Sequence, residues 1–75
     1  MPRLPRITAA ELLKALRRDG WFETRQKGSH LMLRHATKLS LVVIAMHRGE
    51  SIPPGTVAQI LRDAELTIDE LRQLL

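Results

Sequence analysis

Several residue types that support particular classes of function are scarce or missing in this chain. It has no cysteine and no tyrosine, and its aromatic residues are one tryptophan and one phenylalanine. Without cysteine, neither a disulfide framework nor a thiolate metal site can form. The three histidines are dispersed with no pair of carboxylates nearby, so we expect no catalytic metal. Trp21 and Phe22 alone make no platform for stacking bases, which predicts weak sequence preference on single strands.

Long apolar runs are also missing. The longest, Leu41 to Met46, is far too short to span a bilayer, and the region around Arg3 and Arg6 lacks the apolar stretch of a signal peptide. We therefore expect a soluble, cytoplasmic protein with no membrane association. The 75 residues suffice for one small domain, residues 1–75, which leaves much of its surface exposed. A partner or a dimer would add to its stability.

Acidic residues are scarce in the first two thirds of the chain. Residues 1–48 hold ten Lys/Arg and three Asp/Glu, a net charge of +7, whereas residues 49–75 hold two and five, a net charge of −3. A basic region of this kind is expected in a protein that binds a polyanion such as nucleic acid, with an affinity that falls as salt rises. The alternative is a solvated surface without a specific partner.

Hydrophobic periodicity and capping residues predict an α+β fold in the order αβββα, followed by a short C-terminal helix. A three-stranded antiparallel sheet would carry the two long helices on one face. Thr8 and Thr67 each begin a capping box, and Gly20 suits the end of the first helix. The predicted elements are a helix over 9–18, strands over 21–25, 30–35 and 39–46, a helix that starts near Pro53-Pro54 and buries Val57, Ile60, Leu61 and Ala64, and a short helix after Thr67.

Alternation along the strands assigns side chains to the two faces of the sheet. In the second strand, Leu31 and Leu33 should face the helices, whereas His30, Met32 and Arg34 point the other way. The third strand is apolar on both faces, yet the helices cover only one of them. Its second apolar row predicts either a partner, another copy or a different protein, or a chain segment that folds back over it.

The segment most suggestive of chemistry is Gly28-Ser29-His30, which follows the basic run Arg25-Gln26-Lys27 and opens the second strand. A histidine imidazole both accepts and donates a proton near neutral pH. Beside cations that attract phosphate, it suggests chemistry on RNA. The alternative is a strand-end histidine that is partly buried and bonded to the backbone. Ser29 is a poor candidate nucleophile, because no carboxylate is placed to orient a base.

A series of short motifs along the chain matches a known pattern. These motifs are Gly20-Trp21, the block Arg25-Gln26-Lys27-Gly28-Ser29-His30, His47, Pro54-Gly55-Thr56, Ile60-Leu61 and Thr67. With them the chain resembles the HicA toxin family over almost its whole length. It departs from the family pattern where Ile44-Ala45 replace a frequent Val-Pro, and where Glu65 replaces the usual glycine after the second long helix. Glutamate is poorly suited to a left-handed helix end.

This resemblance implies a fold like that of a double-stranded-RNA-binding domain. It also implies a toxin of a type II toxin–antitoxin pair that cleaves messenger RNA, with single-stranded RNA as substrate and a HicB-type antitoxin as partner. The assembly would be a homodimer or a heterotetramer with the antitoxin. In the family the histidine of Gly-Ser-His is the catalytic residue, and that position is His30 here.

Cleavage of RNA without a metal or cofactor needs a base for the 2′-hydroxyl and an acid for the leaving 5′-oxygen. His30 is the candidate for either role, and one such group contributes about 10²- to 10⁴-fold in rate, so the enzyme should be slow. The candidate RNA-binding residues are Arg25, Lys27, Ser29 and Arg34. His47, at the end of the third strand, is either a second proton-transfer group or a residue with a positioning or structural role.

Two other functions are compatible with the same fold. One is non-catalytic binding of double-stranded RNA, although such domains usually carry a lysine cluster at the start of the second helix, where this chain has Pro54-Gly55-Thr56. The other is a protein-interaction module whose basic face meets an acidic partner. His35 falls on the opposite face from His30 by parity, and we expect a structural role for it.

Overall fold

A three-stranded antiparallel sheet, with strand order β1-β2-β3, forms the centre of the fold. The computed structural model describes residues 4–47 and 49–75. Its elements are α1 (Ala9–Arg18), β1 (Trp21–Lys27), β2 (His30–His35), β3 (Val42–Ala45), α2 (Pro54–Ala64) and α3 (Ile68–Leu74). This order confirms the predicted α+β fold of αβββα type with a short terminal helix.

The two capping boxes form as the sequence predicts. The Thr8 hydroxyl accepts a hydrogen bond from the backbone N–H of Glu11, and the Glu11 carboxylate accepts one from the Thr8 N–H. Thr67 and Glu70 make the same reciprocal pair at the start of α3. Hydrogen bonds from the threonine backbone N–H lower the pKa of both glutamates below the ordinary value. These bonds satisfy N–H groups that the first turn of a helix otherwise leaves unpaired.

One side of the sheet and the inner faces of the helices make the hydrophobic core. Leu31 and Leu33 of β2 are buried, as their parity predicts, and Val42 and Ile44 of β3 are buried beside them. Trp21 at the start of β1 is buried too, and its indole N–H donates to the Asp19 carboxylate at 3.2 Å. All four residues predicted for the buried face of α2 lie in this core: Val57, Ile60, Leu61 and Ala64. The helices therefore cover one face of the sheet.

At the end of α2, Glu65 occupies the position where glycine is usual in the family pattern. Glu65 has φ 56° and ψ 45°, the left-handed conformation that glycine adopts without steric cost. The turn is held because the Leu66 N–H donates to the Leu61 carbonyl at 2.9 Å. The backbone thus keeps the geometry of a glycine cap with a glutamate in that position.

The third strand is shorter than the 39–46 expected from its apolar residues. It begins only at Val42, and Leu39 is 93% exposed. The reason lies in Lys38, whose ammonium donates to the Asp19 carboxylate and to the Ala64 carbonyl, both at 2.8 Å. These bonds hold the chain at Lys38 near the C-terminal ends of α1 and α2. The chain therefore first pairs with β2 at Val42, opposite Leu33. The first strand, in contrast, runs two residues beyond the predicted Arg25, to Lys27.

Candidate active site

The side of the sheet that faces away from α1 and α2 carries most of the predicted site residues. Residues directly opposite each other on antiparallel strands point to the same side, so the register identifies this surface. Lys27 pairs with His30, and His30 pairs with Ala45. We call this surface the open face. It consists of Phe22, Arg25, Lys27, His30, Met32, Arg34, Val43 and Ala45.

A bulge at Thr24 turns two of the cations toward the open face. Simple alternation from the buried Trp21 would place Arg25 and Lys27 on the core side of the sheet. The register instead shifts between Glu23 and Arg25, and Thr24 is the extra residue. Arg25 then lies opposite Met32, and the Thr24 hydroxyl donates to the Met32 carbonyl at 3.3 Å. Because of this bulge, both cations share a face with the histidine.

His30 begins β2 at the hairpin turn and is exposed to solvent. Lys27 is its partner on β1, and directly opposite residues have Cβ atoms about 5 Å apart. Within residues 4–47 and 49–75, the imidazole makes no hydrogen bond or ion pair. The alternative of a buried histidine bonded to the backbone does not hold for His30. Both ring nitrogens are free to meet a ligand.

The charge of the open face has a single sign. Arg25, Lys27 and Arg34 are exposed, and no residue of this face is acidic. Glu23, the carboxylate of β1, lies toward the helices and pairs with Arg17 of α1. Arg34 donates to the Leu39 carbonyl at 3.2 Å, which leaves its charge unneutralised. A phosphate near His30 would therefore meet cations and no carboxylate from the strands.

Ser29 fixes the hairpin turn to the third strand. Gly28 has φ 60°, which suits glycine in a two-residue turn, and Ser29 follows it. The Ser29 carbonyl accepts a hydrogen bond from the Met46 N–H at 2.7 Å. The side chain of Ser29 is exposed beside His30. The backbone bond anchors the segment that presents the histidine.

His47 lies at the same end of the sheet, one residue beyond Met46. It is exposed and borders a cleft of about 310 Å³ between the end of β3 and the start of α2. Glu50, Ser51 and Thr56 also line this cleft. Ala45, the strand partner of His30, is another lining residue, whereas Ile44 and Ile60 in the same lining belong to the core side of the sheet. His30 itself lies outside it, on the sheet surface.

His35 has the structural role that its parity suggests. Its Nδ1 accepts hydrogen bonds from the backbone N–H groups of Thr37 and Lys38, at 3.1 and 3.3 Å. The proton must then be on Nε2, which donates to the Asp19 carbonyl at 2.6 Å. The ring also packs edge-on against Trp21, with centroids 5.2 Å apart. Each nitrogen is used, so His35 has no free group for catalysis.

Sequence reasoning missed two features of the site. The first is the bulge at Thr24, a residue that does not itself indicate a bulge. The available signal was Arg25 and Lys27, because regular alternation from Trp21 would place both cations on the core side of the sheet. Phe22 was counted as one of two aromatics that are too few for a base-stacking platform, yet the residue lies on the open face and is 50% exposed. A strict alternation from Trp21 would have found it.

Fold and site together define a small α+β domain that presents, among cations on an open sheet face, an imidazole with no partner in the described chain. Among the described residues, no three His, Cys, Asp or Glu side chains group as metal ligands would. In the same part of the chain, none of the helices has the length and apolar character needed to cross a membrane.

The chain belongs to the HicA toxin family. The family model described as the HicA toxin of bacterial toxin–antitoxin systems matches residues 9–66. The matched range runs from the start of α1 to just past α2 and includes every residue of the open face. A search among curated proteins finds no match to the chain. Membership in this family makes the protein the toxin of a toxin–antitoxin pair and implies an antitoxin partner.

Proposed function

We propose that the protein is an endoribonuclease that cleaves single-stranded messenger RNA at the open face, with His30 as the proton-transfer residue. The observation that carries the proposal is the position of His30, exposed and unpartnered within the described chain, directly opposite Lys27 and on a face with no carboxylate. Such an arrangement would attract a phosphodiester and offer a base to its 2′-hydroxyl. The family assignment supports the same function.

The reaction uses groups of the RNA and of the chain, and water. Neutral His30 takes the proton of a 2′-hydroxyl, and the 2′-oxygen forms a bond to the adjacent phosphorus. The bond from phosphorus to the 5′-oxygen breaks, and that oxygen takes a proton from a second acid or from water. The products are a 2′,3′-cyclic phosphate and a 5′-hydroxyl. The same imidazole acts as the acid if another group serves as base.

The cations act on the charge of the phosphate. Lys27 lies closest to His30 in the sheet and would stabilise the negative charge that grows on the phosphorus oxygens in the transition state. Arg25 and Arg34 are further along the same face, both in the direction from His30 toward the end of β2, and they would hold the part of the RNA strand that runs along β2 from the cleaved bond. The exposed Ser29 hydroxyl next to His30 offers one more contact to a phosphate oxygen. His47 is the candidate for the second proton-transfer or positioning group.

The antitoxin partner would act by covering the open face. This face combines cations with the partly exposed apolar side chains of Phe22 and Val43, a mixture that suits a protein interface as well as RNA. A HicB-type antitoxin that binds there would block His30 and neutralise the cations together. The second apolar row of the third strand predicted either a partner or a covering chain segment, and Val43 of that row is 37% exposed, so a partner would bind at this same surface.

The test is cleavage of a labelled single-stranded RNA by purified protein free of antitoxin, in excess chelator, with the product ends identified. We expect cyclic phosphate or 3′-phosphate ends, and cleavage by His30→Ala that is slower by about 10²-fold or more. A single 2′-deoxy nucleotide at the cleaved position should block the reaction, because the attacking oxygen is then missing. Strict dependence on a divalent ion, or 5′-phosphate ends, would contradict the mechanism.

A non-catalytic domain is the competing reading, and the same experiment separates it. If neither protein cleaves RNA while RNA or antitoxin binding persists, the open face is a binding surface only. Lys14 on α1 provides a matched control, since it is an exposed cation outside the open face. Lys14→Ala should cleave RNA as the wild type does.

A further inference from the structure

Phe22 is the one aromatic side chain on the open face. Its neighbour Trp21 is buried in the core, but the phenyl ring of Phe22 is 50% exposed on the opposite side of β1. Phe22 pairs with Arg34, whose guanidinium is held by its bond to the Leu39 carbonyl. An exposed aromatic surface thus lies across from a fixed cation, and neither is needed for the hydrophobic core.

The position of Phe22 relative to His30 follows from the strand geometry. Arg34 lies four residues from His30 along β2, about 13 Å at about 3.3 Å per residue. A nucleic-acid strand stacked as in a duplex advances about 3.4 Å per nucleotide, and an extended strand advances more. Phe22 is therefore within about four nucleotides of a phosphate bound at His30. An RNA strand that follows β2 from His30 toward Arg34 would reach the ring.

The surface between the two sites is apolar and suits bases. Met32 and Val43 are neighbours across β2 and β3, and both lie on the open face between His30 and Arg34. Arg25, opposite Met32, supplies a cation at the side of this strip. Proteins that bind single strands combine such cations, which follow the phosphates, with an aromatic ring on which a base stacks. The open face offers both within one short path.

We propose that Phe22 is a base-stacking subsite for the single-stranded RNA substrate, separate from the residues at the cleaved phosphate. The inference rests on the proposed function, because it takes RNA as the ligand of the open face. RNA is favoured over a protein occupant at this position because the charged residues of β1 and β2 on this part of the open face, Arg25 and Arg34, are both cations. The open face has no carboxylate that would repel a phosphate. Phe22 would increase affinity for longer RNA without touching the reacting atoms.

The test measures RNA binding in a His30→Ala background, where the RNA stays intact. Phe22→Ala should weaken binding of a ten-nucleotide RNA about 5- to 150-fold, the effect of removing one stacked base. Phe22→Tyr keeps a ring and should restore most of the affinity, whereas Phe22→Leu keeps apolar surface without a ring and should not. An RNA that carries 2-aminopurine should lose fluorescence on binding, and Phe22→Ala should abolish this quenching.

Substrate length gives the second readout, in the cleaving protein. Phe22→Ala should lower kcat/KM for the long RNA mainly by raising KM. It should leave the kinetics of a dinucleotide substrate unchanged, because the dinucleotide is too short to reach the ring. Leu75→Ala is the matched control, since Leu75 is a partly exposed apolar residue outside the open face. Leu75→Ala should change neither substrate's kinetics.

The outcomes separate this inference from the proposed function. If RNA binds and is cleaved but Phe22→Ala matches the wild type on both substrates, the stacking subsite is refuted and the ribonuclease stands. If Phe22→Ala weakens binding of the purified antitoxin but leaves RNA binding unchanged, the ring is a protein contact and the inference is wrong. If the wild type neither binds nor cleaves RNA, both proposals fall.

Discussion

Replacing Glu65 by glycine should make the fold more stable, although glycine in the middle of a helix is destabilising. Glu65 has φ 56° and ψ 45°, and its side chain forms no hydrogen bond or ion pair within the described residues. A side chain in this left-handed conformation costs about 1–2 kcal/mol relative to the right-handed one, a cost that glycine does not have. The substitution removes that strain without removing a contact.

An effect on the unfolded state offsets part of this gain in folding stability. Glycine gives the unfolded chain more freedom, which costs about 0.4–1 kcal/mol of stability. The net stabilisation expected for Glu65→Gly is therefore about 0.8 kcal/mol, the difference between the centres of the two ranges. In a domain of this size each kcal/mol moves the melting temperature by about 4–8 °C, so the midpoint should rise by about 3–6 °C.

Thermal and urea unfolding of the purified protein, followed by circular dichroism, measure this change. Glu65→Ala is the control, because alanine removes the carboxylate but keeps the Cβ that causes the strain. It should leave the midpoint close to that of the wild type. If Glu65→Ala stabilises as much as Glu65→Gly, the cause is charge and not backbone conformation. If Glu65→Gly lowers the midpoint, the assigned strain is wrong.

Three further predictions follow from named contacts. Lys38→Met should cost about 1–3 kcal/mol in urea unfolding, because it removes two charge-assisted bonds that join the ends of α1 and α2; an unchanged midpoint would show that these bonds contribute nothing. The Thr67 N–H lowers the pKa of Glu70 below its ordinary value of 4.5. The stability that the ionised carboxylate contributes is therefore full above pH 4.5 and is lost as the pH falls through the lowered pKa. The stability lost by Glu70→Gln at neutral pH should therefore shrink in acid, and a gap that stays constant with pH would refute this. Lys27→Ala should lower kcat for RNA cleavage and reduce the salt dependence of RNA binding, whereas Lys14→Ala should change neither; equal effects of the two would place Lys27 outside the site.

Local sequence signals predicted the helices well because their causes are local. The boxes begun by Thr8 and Thr67 fix two helix starts through bonds across three residues, and the apolar spacing of α2 fixes its buried face. The parity of Leu31 and Leu33 likewise followed from regular pairing in β2. In each case the deciding interactions lie within one turn or one strand.

The remaining features depend on contacts between distant parts of the chain. The start of β3 is set by Lys38, which binds the ends of two helices, and no pattern in residues 39–46 shows that bond. The cations reach the open face through the bulge at Thr24, a matter of register between two strands. The site therefore followed from the sequence as a set of residue types around His30, while its arrangement on one face required the structure.

The most direct test of the account is the single-turnover rate of RNA cleavage by wild type and His30→Ala, measured side by side in excess chelator. Both proteins should show the same thermal midpoint and bind the antitoxin, because the His30 side chain is exposed and makes no hydrogen bond or ion pair within the described chain. The account predicts a loss of about 10²-fold or more in rate for His30→Ala, the contribution of a proton-transfer group. Cleavage by folded His30→Ala at the wild-type rate would contradict it.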